Sequence, residues 1–476
     1  MVNVGDQSMK IEVKEWTIVT PAQDTTKHSL WSSNLDLLVA RVYIPTVYFY
    51  QPNGCSPNFF DTQVLKEALS KVLVLFYPVA GRLRRDNNGR FEIYCNGEGV
   101  LFVEANSEGV IDDFGNFTPC LELQQLIPTV DYSEDDDRIS LHPLLVLQTL
   151  PWTPTMVTCH VAPTEDLKRD GNIFQMWGSI GWHHTLGDGS SAIHFINAWS
   201  DMARGISVNI PPFIDRTLLC SRDPPPSAMF HHIEYSPPPS MNITTSQAQE
   251  CQGSHEEPLT STSILKITLD QVNTLKVKSK KDQVDPTKYS SYEVLAAHVW
   301  HCVCMARGLP DDQTTKLYMA TDGRSRLHPP LPPRYFGNVL FTATSIALSG
   351  EVKSQPLKYT VENLHDALTR MDNDYLRSAL DYLALQPDPT ALIRDAHTFQ
   401  CPNLNVVSWS RLPIYDADFG WGRPIHMGPA NVIFEGTGYI LPSPTRDGTL
   451  SLIIRLHAHH MQVFKKLFYD YAADSK

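Results

Sequence analysis

Residues 173–204 read IFQMWGSIGWHHTLGDGSSAIHFINAWSDMAR. An apolar run, Ile173–Ile180, leads straight into Gly181-Trp182-His183-His184-Thr185-Leu186-Gly187-Asp188-Gly189, and Ser190–Arg204 then has the pattern of an amphipathic helix. Strand, glycine-rich turn and helix in succession make a β–α unit. In α/β folds the end of such a strand presents side chains to a cleft. This stretch therefore predicts an α/β fold with His184 at the mouth of a site.

Outward from this unit the same two kinds of element recur. Lys10–Thr20 alternates partly and Tyr43–Tyr50 is a second strand candidate, while Asp61–Phe76 repeats Val64, Leu65, Ala68, Leu69, Val72 and Leu73 at helical spacing. Asn87-Asn88-Gly89 is a turn signal, with Phe91–Tyr94 and Val100–Ala105 as strands beyond it. From Ser207 to Ser263 the chain turns polar and proline-rich, with two Pro-Pro-Pro runs, and cannot bury enough apolar surface to order itself alone. It reads as a crossover. Beyond it Leu269–Lys281, Ser290–Arg307 and Tyr359–Leu385 are expected helices, Thr315–Thr321, Val339–Leu348 and Leu450–Leu456 strands, and Met461–Tyr471 a terminal helix. Two similar-sized α/β domains follow, residues 1–206 and 264–476, joined by a crossover at 207–263.

The bulk composition narrows the function classes. The 476 residues carry a net charge of −13, which disfavours a phosphate-backbone partner. Nine cysteines form no zinc-like CxxC pair, which fits a reduced, cytoplasmic protein without structural disulfides or a metal. No apolar h-region opens the sequence and no run reaches the length of a membrane span. The expectation is a cytoplasmic enzyme, monomeric, with small-molecule substrates and no permanently bound cofactor.

A near-neutral imidazole suits proton removal from an alcohol. A bare HxxxD spacing, however, is expected about once by chance in a chain of this size, and a structural histidine reads the same. A second landmark, Asp418-Phe419-Gly420-Trp421-Gly422, is more specific: a given five-residue string arises by chance on the order of 10⁻⁴ of the time. HHTLGDG at mid-chain with DFGWG near the end resembles the BAHD family of plant acyl-CoA-dependent acyltransferases. The resemblance extends through LWSSNLDLL, FYPVAGRLRRD, PPFIDRTLL, YSSYEVLAAHVW, ATDGRSRL and YFGNVLFTAT. These segments look most like the branch that joins hydroxycinnamoyl-CoA to shikimate.

That resemblance implies a fold of the chloramphenicol acetyltransferase type, with the active site in a channel between the two domains. It implies direct attack of an acceptor hydroxyl on the thioester, His184 as base and Trp409 as donor to the oxyanion. Asp188 is expected to pair with an arginine and hold the loop, and Asp418, Gly420, Trp421 and Gly422 to support the site from a distance. Arg394 matches the arginine that clamps the acceptor carboxylate, and Thr46 and Tyr48 match acceptor-side groups. Val407 and Tyr43 stand where the branch usually has threonine and histidine, which leaves quinate or another small hydroxy acid open as acceptor. Hydroxycinnamoyl-CoA (p-coumaroyl or caffeoyl) is the implied co-substrate. It is expected to meet Lys288, Tyr289, Ser290 and Ser291; Ala320, Thr321, Asp322, Gly323, Arg324, Ser325 and Arg326; and Ser408, Trp409, Ser410 and Arg411. Lys276, Lys278, Lys280 and Lys281 form a basic run, read first as a solvated helix face. The segment 148–172 is longer than in relatives and reads as a surface insertion, with a charged centre at Glu165–Asp170 placed to lean over the channel. Two other classes differ in their signatures: a non-catalytic binder would have lost His184 or Trp409, and a serine hydrolase would carry GxSxG, which is absent.

Overall fold

The computed structural model describes residues 10–51, 60–107, 114–128, 139–150, 176–241, 259–280 and 289–470. In the first part of the chain the described strands are β1 (Ile11–Val19), β2 (His28–Trp31), β3 (Tyr43–Tyr50), β4 (Arg82–Arg85), β5 (Phe91–Cys95), β6 (Val100–Ser107), β7 (Leu145–Leu150) and β8 (Met176–His183). The later ones are β9 (Thr260–Ile267), β10 (Thr314–Asp322), β11 (Leu340–Leu348), β12 (Leu404–Ser408), β13 (His426–Pro429), β14 (Thr437–Pro442) and β15 (Leu450–His457).

They build two six-stranded mixed sheets, ordered β1-β6-β7-β8-β3-β13 and β11-β10-β12-β14-β15-β9, and a small sheet β2-β5-β4. The edge strand β13 comes from late in the chain yet pairs antiparallel with β3, Thr46 opposite Pro429 and Phe49 opposite His426. The Asn87-Asn88-Gly89 turn joins β4 to β5, while β6 leaves that hairpin for the first large sheet.

The helix over Thr62–Leu75 starts where the Asp61 carboxylate accepts from the amides of Gln63 and Val64. Its stripe of Leu65, Ala68, Leu69, Val72 and Leu73 is buried, and Trp199 of the helix Gly189–Ala203 donates its indole N–H to the Leu65 carbonyl at 3.0 Å. The expected single helix over Tyr359–Leu385 is two, Leu357–Thr369 and Asn373–Ala384. The break has a local cause: Asp372 leaves helical geometry and caps the second helix by accepting from the Tyr375 amide.

Of the proline-rich segment the structure describes 207–241 and 259–263: the first part supplies no strand to the sheets and is tied down by the second half of the chain, whereas the expected crossover ends early, since Thr260–Ser263 already belong to β9 and pair with β15. Lys316 Nζ donates to the carbonyls of Ile233 and Ser236 at 3.0 and 3.2 Å. Asn403 donates to Pro239, and the His232 ring meets Glu234 and Ser378. Order is imposed on this segment by its partners. The extended segment, from residue 151 onward, lies outside the described residues, as do Lys281 and Lys288. Among the described residues no helix is long and apolar enough to cross a membrane.

Burial sets a pH dependence on the whole fold. It depresses the pKa of His183 and His426 to about 3, and of His194 and His298 to about 4, from 6.5. The buried His298 ring meets the Phe468 carbonyl through Nε2 at 2.8 Å. Above pH 6.5 these rings are neutral whether the chain is folded or not. Below it the unfolded chain takes up protons that the folded one refuses, so stability falls as pH drops from 6.5 toward 4. The expected result is a melting temperature that declines steadily over that interval in calorimetry; a flat profile from about pH 6.5 to 4.5 would count against it.

Candidate active site

Strand β8 ends at His183, and a short 3₁₀ turn, His184–Leu186, carries the chain into the helix Gly189–Ala203. Backbone contacts fix this turn. The His184 amide donates to the Val42 carbonyl at 3.0 Å and Asn338 Nδ2 donates to the His184 carbonyl at 2.9 Å. Arg216 donates to the carbonyls of Thr185 and Leu186, and Trp182 Nε1 to that of Gly187 at 2.8 Å. Gly187 has no room for a side chain, since a Cβ there would sit 2.7 Å from Ser191 Cβ.

The Asp188 carboxylate is engaged away from the histidine. It caps the helix through Ser191 N at 3.1 Å and accepts from Val339 N at 3.0 Å. Arg324 grips both its oxygens, Nη1 on Oδ2 at 2.8 Å and Nη2 on Oδ1 at 2.9 Å. Burial pushes the Asp188 carboxyl up, but Arg324 and the two amides outweigh it and hold it below its ordinary value. The carboxylate is thus committed to the second half of the chain.

A channel of about 1450 Å³, part of it open solvent, runs between the two large sheets. His184 lines it together with Thr46 from β3, Ala320 from β10, Val407 from β12, Arg394 and Trp409. The His184 Nδ1 is buried without a hydrogen-bond partner among the described residues. Burial lowers the pKa of the ring, against the opposing pull of its own backbone, Asp188 and Asn338. A neutral imidazole at neutral pH can accept a proton. Trp409 packs against Tyr439 with ring centroids 5.1 Å apart, and its indole N–H is a donor only. Arg394 stands 5.9 Å from the Tyr235 ring, with Nη1 buried and unpartnered among the described residues. The channel therefore joins a base, a donor and a cation, the set needed to activate a hydroxyl, stabilise an oxyanion and hold an acid.

Other expected site residues lie off the channel wall. Tyr48 borders a smaller neighbouring hollow with Tyr50, Phe60 and Trp421. Tyr43 donates to the Pro143 carbonyl and packs edge-on against His183. Arg324 is spent on Asp188, and Arg326 donates to the carbonyls of Leu368 and Met371, both at 2.9 Å. Thr321 is turned to the Met319 carbonyl, and Asp322 accepts from the Arg324 amide. The Gly323 amide donates to the Val339 carbonyl. Tyr289 is buried against His365. Ser290 caps the helix Ser291–Ala306, and Ser408 and Ser410 share a 2.8 Å hydrogen bond. Ser325 and Arg411 are exposed.

In the DFGWG loop Asp418 Oδ1 accepts from the amides of Gly420 and Gly422 at 2.8 and 3.0 Å. Both glycines have positive φ, 100° and 97°. Phe419 packs on Trp199 and Trp421 stacks on Phe60, so the loop buttresses the first sheet and its helices without bordering the channel.

Asp36, Asn338 and Arg216 escape the sequence reading. Asp36 accepts from both nitrogens of Asn338 and pairs with the buried Arg216, which makes one knot behind the His184 turn. Ser33 to Asp36 reads locally as a helix cap; its link to residue 338 has no local signal.

The Transferase family model matches residues 9–151 and 172–471. The stretch it skips lies within the long segment 148–172. A shikimate O-hydroxycinnamoyltransferase of Nicotiana tabacum is 58% identical over 97% of this chain and 100% of its own length. A hydroxycinnamoyltransferase of Narcissus pseudonarcissus is 51% identical over the same shares. Among solved structures, F. graminearum TRI101 complexed with coenzyme A and T-2 mycotoxin superposes with a TM-score of 0.72 at 16% identity, over 93% of this chain and 97% of that one. This last likeness speaks to the fold.

Proposed function

The chain belongs to the Transferase family, the BAHD acyltransferases, and on that footing we propose that it moves a hydroxycinnamoyl group from its CoA thioester to a hydroxyl of shikimate. The observation that carries this reading is the buried Nη1 of Arg394, unpartnered among the described residues, in the same channel as His184 and Trp409. A buried guanidinium nitrogen without a partner is costly, and a substrate carboxylate would satisfy it. The similarity to the tobacco enzyme supports the same acceptor.

In this mechanism Nε2 of His184 takes the proton from the acceptor hydroxyl as its oxygen bonds to the thioester carbonyl carbon. The carbonyl oxygen becomes an oxyanion, and Trp409 N–H donates to it. Collapse re-forms the carbonyl and breaks the carbon–sulfur bond, and the departing CoA sulfur receives the proton from His184. Asp188 holds the loop through Arg324 and takes no proton. The division into 1–206, 207–263 and 264–476 is kept as part of this proposal, with His184 just after β8 of the first large sheet and Trp409 just after β12 of the second, while β9 begins at Thr260 and β13 crosses to the first sheet. Val407 leaves quinate or another small hydroxy acid open as a second acceptor, because it lacks the hydroxyl with which a threonine would contact shikimate.

A competitive panel of shikimate, quinate and neutral alcohols with p-coumaroyl-CoA, read by mass spectrometry, tests the assignment. Ester formation on shikimate or quinate is expected; transfer to neutral alcohols alone would sink it. Arg394→Ala is expected to lower kcat/KM for the acid acceptor about 10- to 100-fold, the size of a lost charge-assisted hydrogen bond. Unchanged acceptor kinetics would remove the clamp.

A further inference from the structure

Three strands of the second large sheet each carry one polar residue in a single row. Tyr318 of β10 stands opposite Asn405 of β12, and Asn405 opposite Thr437 of β14. All three line the channel with Arg394. Two residues further along each strand, on the same face, come Ala320, Val407 and Tyr439. Polarity at Tyr318, Asn405 and Thr437 thus adjoins a position, Val407, that offers no hydroxyl.

Tyr318 and Thr437 are 1% and 3% exposed, and neither hydroxyl has a hydrogen-bond partner among the described residues. Buried hydroxyls are rarely left so. The aromatic neighbours cannot serve them: Phe399 stands edge-on to Tyr318 at 5.7 Å, and Phe434 lies 6.1 Å beyond Phe399. Burial raises the Tyr318 phenol to about 12, so it stays a neutral donor and acceptor at working pH. Neighbouring strands lie about 4.8 Å apart, which spreads the row over about 10 Å, a span matched to a ring with several substituents.

We propose that Tyr318, Asn405 and Thr437 form the acceptor-specificity row, pairing with ring hydroxyls of a polyhydroxylated carboxylic acid whose carboxylate meets Arg394. This rests on the acyl-transfer reading above and narrows it: the row selects a cyclic polyol acid over an aromatic acid with one hydroxyl or an amine. Hydroxyl groups that both donate and accept suit alcohol hydroxyls, and the row supplies two of them and an amide.

The test varies shikimate at saturating p-coumaroyl-CoA with the full-length chain and its Tyr318→Phe, Thr437→Val and Thr437→Ser variants. Tyr318→Phe and Thr437→Val are each expected to raise the shikimate KM about five- to tenfold, with the KM for p-coumaroyl-CoA unchanged. Thr437→Ser is expected to keep the unaltered KM. Unchanged shikimate KM in both Tyr318→Phe and Thr437→Val, with turnover intact, would overturn the row alone. So would a Thr437→Ser as impaired as Thr437→Val, since that marks a packing role. An unaltered enzyme that acylates neither shikimate nor quinate would instead overturn the acceptor assignment itself, and the row with it. Tyr318→Phe removes a single oxygen, so it decides the matter should Thr437→Val not fold.

Discussion

His184→Ala is expected to lower kcat by about 10²- to 10⁴-fold, the usual worth of a positioned general base, with little change in thermal stability. The two readouts separate chemistry from folding for a specific reason. What holds the turn at residue 184 is its backbone, through the Val42 carbonyl and Asn338 Nδ2, and these contacts survive truncation of the ring. Among the described residues the ring's Nδ1 has no partner to orphan. Since burial depresses the imidazole pKa, the acid limb of kcat/KM in the unaltered enzyme is expected below pH 6.5. Product formation undiminished in His184→Ala would discard the base assignment.

Asp188→Ala is expected to act on stability first, at about 3–5 kcal/mol, the cost of breaking a buried ion pair by removing one partner. Arg324, 16% exposed at its side chain, would lose its bidentate carboxylate and keep only Asp322, Ser191 Oγ and the carbonyls of Tyr335 and Gly337 as partners. The amides of Ser191 and Val339 would lose their acceptor as well. Urea denaturation measures the effect. A midpoint shift equivalent to less than about 1 kcal/mol, the level of a surface pair, would show that the pair contributes little. Activity should fall in step with the folded fraction, unlike the His184 variant, which loses turnover while folded.

Long amphipathic helices and alternating strands were legible in the sequence because their signal is local. Ser190–Arg204 and Tyr43–Tyr50 match the structure to within a residue. The helix pair over 357–384 was not, because Asp372 punctuates a pattern whose apolar period continues on either side. Strands β12, β13 and β14 are short, β13 and β14 contain Gly and Pro, and the pairing of β12 with β10 and of β13 with β3 joins residues far apart in sequence. The same holds for the site. His184, Arg394 and Trp409 could be named through resemblance, whereas the knot of Asp36, Asn338 and Arg216 and the polar row on β10, β12 and β14 exist only once the strands are paired. Arg324 illustrates the converse: its segment looked like a donor-binding stretch, and its guanidinium turns inward to Asp188.

The lateness of β13 bears on how the protein is made. Until residues 426–429 leave the ribosome, β3 has an open edge from Thr46 to Phe49, next to the strand that ends at His183. At synthesis rates of about 5–20 residues per second, that edge waits through the whole second half of translation, as a template for stray strand addition. A fragment ending before β13 is therefore a candidate for chaperone capture or aggregation, and splitting this enzyme for complementation would work only if the second piece brought its strand back to the first.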